Sequence, residues 1–82
     1  MEKSIYTREY AIFLRLLRQT RKEANLTQIG LAEAIKKSQS FVSKVERGET
    51  RLDIIQLRTL LNAFGTNLTA FSASLERALK RK

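Results

Sequence analysis

The sequence has no cysteine, no histidine, no proline and no tryptophan, and each absence narrows what the chain does. Without cysteine there is no disulfide framework, no thiol nucleophile and no thiolate metal site. Without histidine the commonest general base and metal ligand is missing too. The acids Glu2, Glu9, Glu23, Glu33, Glu46, Glu49, Asp53 and Glu76 are scattered among basic neighbours rather than set as a facing pair, so carboxylate acid/base chemistry is not expected. No catalytic residue, metal or cofactor is therefore anticipated, and the chain reads as a non-enzyme. Apolar runs are short as well. Ala11-Ile12-Phe13-Leu14 stops at Arg15, far from the ~20 apolar residues that span a bilayer, and the amino terminus lacks the pattern of a signal peptide. A cytoplasmic protein without a membrane partner is the expectation.

What is abundant is positive charge. Sixteen Lys and Arg against eight Asp and Glu give a net +8 on 82 residues, which favours a polyanionic partner. The length suits a single domain over 1–82, with a core at about 7–79 and frayed basic ends, Met1 to Tyr6 and Lys80 to Lys82.

With only three glycines, helix boundaries have to be read from Ser, Thr, Asn and Asp at cap positions. Between those caps apolar residues recur every three or four positions, the period of an all-α protein. A first helix starts near Thr7, buries Tyr10, Phe13, Leu14 and Leu17, and stops near Asn25. Thr27 caps a short second helix with Leu31, Ala32 and Ile35 inward, followed by a tight turn at Lys36-Lys37. Ser38 caps a third helix that runs to about Arg47 and ends at Gly48. Asp53 caps a fourth with Ile54, Leu57, Leu60, Leu61 and Phe64 on its apolar face, ended by Gly65. Asn67 caps a fifth carrying Leu68, Phe71, Leu75 and Leu79.

The third helix is the informative one. Val42 and Val45 point inward, so the helical period gathers Gln39, Ser40, Ser43, Lys44 and Arg47 on the opposite side. All of these donate hydrogen bonds. Gln matches the N6/N7 edge of adenine, Lys suits the O6/N7 acceptors of guanine, and Ser pairs with several base edges. Phe41 flanks the stripe, where a thymine methyl would meet it. An ordinary solvated helix face has a similar composition, and it is the arrangement of two short capped helices about a tight turn that favours recognition.

Leu17-Arg18, Leu26-Thr27-Gln28, Leu31-Ala32, Ser38-Gln39-Ser40, Val42-Ser43-Lys44, Glu46-Arg47-Gly48 and Phe64-Gly65 together resemble the phage-repressor or xenobiotic-response-element (XRE) type of helix-turn-helix domain, from roughly Leu14 to Phe71. The resemblance implies a five-helix lambda-repressor-like fold with recognition helix 38–47 in the major groove of double-stranded DNA. It further implies Gln39, Ser40 and Lys44 as base contacts with Ser43 beside them, Thr27, Gln28 and Arg47 near phosphates, and an Arg21–Glu46 ion pair tying the first helix to the third. Two positions depart from the family pattern: Lys36 stands where a turn glycine is usual, and Gly30 where a helix-favouring polar residue is usual.

One short recognition helix covers few base pairs, so a homodimer on a palindromic operator is expected. The near-heptad spacing of Leu68, Phe71, Leu75 and Leu79 offers an interface for it, although the same four would serve equally to pack on the fourth helix. Two other readings stay open: an antitoxin-like module of the same fold that holds a protein partner, and a basic protein that binds RNA or membranes without sequence preference.

Overall fold

The computed structural model describes residues 7–81, so the segment Met1 to Tyr6 and Lys82, both assigned above to the chain ends, lie outside the described residues. Five helices follow in order: α1 Arg8–Glu23, α2 Gln28–Ile35, α3 Gln39–Glu46, α4 Ile54–Ala63 and α5 Leu68–Lys80. Lys80, expected to fray, closes α5 instead, and the carbonyl of the following Arg81 accepts a bond of 3.4 Å from Arg8 Nη2.

Each helix begins at the residue whose side chain suits the task. The side chains of Thr7, Thr27, Ser38, Asp53 and Asn67 all accept from the backbone N–H three residues on, at 2.7–3.1 Å. At α4 the arrangement is reciprocal, because Gln56 Oε1 accepts from the Asp53 N–H at 3.0 Å.

The first four helices also end alike. Asn25, Lys36, Gly48 and Gly65 all have positive φ, between 60° and 83°. In each case the next residue's N–H returns to the carbonyl five positions back, Leu26 to Arg21, Lys37 to Ala32, Glu49 to Lys44 and Thr66 to Leu61. That bond satisfies a carbonyl left free at the helix end. Glycine adopts this conformation without strain and asparagine tolerates it, whereas Lys36 carries a full side chain through it (φ 60°, ψ 45°). The turn thus keeps its left-handed form despite lacking the usual glycine. Gly30 sits in the first turn of α2 rather than its interior; a Cβ there would meet Thr27 Oγ1 at 3.3 Å, against the hydroxyl that caps the helix.

The core is built from Leu17, Leu31, Ala32, Val42, Val45, Leu60, Leu61 and Phe71, all under 5% exposed. Helix α2 packs on α3 and α4, α1 on α3 and α5, and α4 on α5. Phe71, expected at a subunit interface, belongs to this core, with its ring edge-on to Phe13 at 5.9 Å between centroids. Ile54, expected inward, is 60% exposed because it occupies the first position of α4, beyond the reach of the core, and Ile55 beside it is 66% exposed. Among the described residues no helix is long and apolar enough to cross a membrane, and no group of acidic residues could hold a metal ion.

Candidate nucleic-acid interface

Helix α3 is pinned by its inner face and presents its outer one. Val42 and Val45 are each 1% exposed, whereas Gln39, Ser40, Lys44 and Arg47 are exposed and Ser43 is half-buried. The sequence range 38–47 includes the two caps: Ser38 holds the N-terminus and Arg47 follows the last helical turn. Just before the helix, the Lys37 ammonium lies 5.6 Å from the centre of the Phe41 ring, a cation–π contact that joins the turn to the flank of the stripe.

A cluster around Glu46 fixes the angle at which this helix is held. Arg21 Nε donates to Glu46 Oε2 at 2.6 Å and Arg21 Nη2 to Oε1 at 3.2 Å, with both residues buried. The remaining edge of the guanidinium donates to the Leu26 carbonyl at 2.7 Å. Gln28 Nε2 adds a bond to Glu46 Oε1 at 3.0 Å, and the half-exposed Arg18 approaches the same oxygen at 3.5 Å. One carboxylate therefore ties α1, the α1–α2 loop, α2 and α3 together. Burial pushes the Glu46 carboxyl up, but the hydrogen bonds from Arg21 and Gln28 and the charges of Arg21 and Arg18 outweigh it and hold the group below the ordinary glutamate range.

This cluster also engages one residue of the expected DNA contacts. Gln28, assigned by resemblance to a phosphate, gives one of its two amide N–H donors to Glu46 and is half-buried, whereas Thr27 is exposed. Sequence reasoning also missed Arg18 as a member of the cluster and Glu49 as the partner of Arg47. The Arg47 guanidinium donates to both Glu49 oxygens, Nε to Oε2 at 2.9 Å and Nη2 to Oε1 at 3.2 Å, and also to the Ser43 hydroxyl. This pairing raises the affinity of Arg47 for its proton and lowers that of Glu49. The available signal was Gly48 between the two residues, a left-handed position that reverses the chain.

Of the four residues proposed for a subunit interface, Leu68 and Leu75 pack half-buried against the core, and Leu79 joins Leu75 in lining an open groove of about 440 Å³. Tyr10, Leu52, Ile54 and Leu57 line the same groove, and Ile55 follows Ile54 at the start of α4. Exposed apolar residues thus stand at the N-terminus of α4, beside this groove, and at Ile29 of α2.

Comparison with known proteins agrees with this geometry. A helix-turn-helix family model matches residues 17–71. An XRE-family like protein from Pseudomonas syringae pv. tomato str. DC3000 is 38% identical, with a TM-score of 0.80 over 89% of this chain and 88% of that one. The restriction-modification controller protein C.Esp1396I, whose tetramer has been solved with its natural 35 base-pair operator, superposes with a TM-score of 0.82 at 18% identity over 93% of this chain and all of its own. The clp gene regulator ClgR from C. glutamicum gives a TM-score of 0.72 at 23% identity, over 95% of each chain. At those identities the last two establish a shared fold. No curated protein sequence matches the chain. The family match over most of the described helices, and the relative of 38% identity along nearly the whole chain, show that this protein belongs to the helix-turn-helix family of the XRE type.

Proposed function

We propose that the protein is a cytoplasmic transcription regulator that reads double-stranded DNA through α3 and acts as a dimer on a palindromic operator. The observation that carries this reading is the exposed row Gln39, Ser40 and Lys44, on a helix whose inner face is buried and whose angle is fixed by the Glu46 cluster. Gln39, Ser40 and Lys44 contact base edges with Ser43 beside them, whereas Thr27 and Arg47 contact phosphates and set the register. Gln28 steadies Glu46 through one amide N–H and has a second to offer a phosphate. The net +8 supplies the attraction common to all duplexes. The operator complex of C.Esp1396I, a chain of the same fold, supports DNA as the partner.

The dimer forms through the apolar surface of Leu75, Leu79, Ile54 and Ile55, while Leu68 and Phe71 pack with the protomer's own core. Two copies on a two-fold axis place their recognition helices in half-sites about one helical turn apart. The test is selection of bound duplexes from a random pool near physiological salt, where charge-driven binding is weakened. Enrichment of an inverted repeat is the expected result. A folded protein that enriches no sequence contradicts the reading and favours the protein-interaction alternative.

A further inference from the structure

The Arg47 guanidinium, poised for a phosphate, already holds an anion of the same shape. Its grip on Glu49 is two-toothed, through Nε and Nη2 at 2.9 and 3.2 Å, the geometry in which arginine binds either a carboxylate or a phosphate. Backbone structure sets up the pair. Gly48 turns the chain at φ 80°, and the Glu49 N–H is bonded to the Lys44 carbonyl at 2.8 Å, which brings the side chains of 47 and 49 to the same side. The third arm of the fork, Nη1, engages the Ser43 hydroxyl, so a second residue of the recognition face is drawn into the arrangement. Both charged side chains remain about half exposed, 51% and 49%, so a phosphate has open access to the same donors.

Resting on the reading of α3 as the DNA-facing helix, we infer that Glu49 is a built-in phosphate mimic that competes with DNA for the Arg47 fork. The Nε/Nη2 edge accommodates one bidentate anion at a time, so DNA engages Arg47 fully only when Glu49 lets go. The competitor is present whatever the base sequence, so it lowers affinity for all duplexes by a common factor and leaves discrimination among them unchanged. Glu49 is thereby an affinity-setting residue rather than a DNA contact. An exposed ion pair of this kind corresponds to a factor of about two to five in an equilibrium constant.

The test is a double-mutant cycle: wild type, Glu49→Gln, Arg47→Ala and the double variant, titrated by fluorescence anisotropy against one labelled duplex at fixed salt. Glu49→Gln is expected to bind about two- to fivefold tighter, and this gain to vanish in the Arg47→Ala background. The same gain with Arg47 absent would mean that Glu49 acts by general repulsion of DNA. Weaker binding by Glu49→Gln would mean that Glu49 orients Arg47 within the complex. Either result overturns the competition while the DNA-binding reading stands. If the wild-type protein binds no duplex, that reading fails and the inference fails with it. Thermal melts of the four proteins verify that each is folded, and both side chains lie outside the core.

Discussion

Glu46 shows how one buried residue sets the orientation of an exposed helix face that it does not itself form. Its carboxylate accepts from Arg21 and Gln28 while lying near Arg18, so removing it leaves the Arg21 guanidinium buried without its anion. Breaking a buried pair in this way costs about 3–5 kcal/mol, and Glu46→Ala is expected to lose that much in chemical denaturation. A loss below ~1 kcal/mol would mean that the cluster is solvated and does not lock the helices. The lowered carboxyl pKa gives the same residue a signature in pH. A group more acidic in the folded than in the unfolded state contributes stability that is complete above its unfolded value and is lost as pH falls through its folded one. Stability should therefore decline as pH drops below the ordinary glutamate range, and Glu46→Gln should flatten the decline in that window. Glu49 adds a change of the same sign, which salt should suppress because the pair is exposed.

Among the elements, α2 and its turn carry the compromise in the fold. The left-handed conformation costs a residue with a side chain roughly 1–2 kcal/mol, while glycine gives back about 0.5–1 through its freer unfolded chain. Lys36→Gly is accordingly expected to stabilise the protein by about 0.5–1 kcal/mol, read as a higher melting temperature; a lower one would show that the lysine side chain makes a contact worth more than the strain. Much of this level was legible in the sequence, because the signals were local. Thr7, Thr27, Ser38, Asp53 and Asn67 mark their helices by side-chain capping, and Gly48 and Gly65 stop them by backbone freedom. The spacing of Val42 and Val45 likewise told which side of α3 faces out. What stayed hidden depended on three dimensions. Ile54 has the right period for the core but sits one turn too early, at the helix start, and Phe71 has heptad spacing yet faces Phe13 of its own chain. Gln28 and Glu49 are ordinary polar residues until packing or a chain reversal supplies their partners.

At the scale of the whole molecule, the Glu46 cluster, the left-handed turns and the small core converge on one outcome, a short helix held by its inner face with its polar side exposed. The excess of positive charge draws this surface toward any polyanion, so charge by itself gives affinity without choice. In the proposed reading, choice comes from Gln39, Ser40 and Lys44, all exposed on α3. The most direct test is to measure the ratio of affinities for the preferred and a scrambled duplex, in wild type, Gln39→Ala, Lys44→Ala and Arg47→Ala, at one salt concentration. Gln39→Ala and Lys44→Ala are expected to lose about 1–3 kcal/mol on the preferred duplex alone, and so to lower the ratio, while Arg47→Ala weakens both duplexes together and leaves the ratio unchanged. Equal losses on both duplexes for all three variants would show that α3 supplies charge and does not read bases.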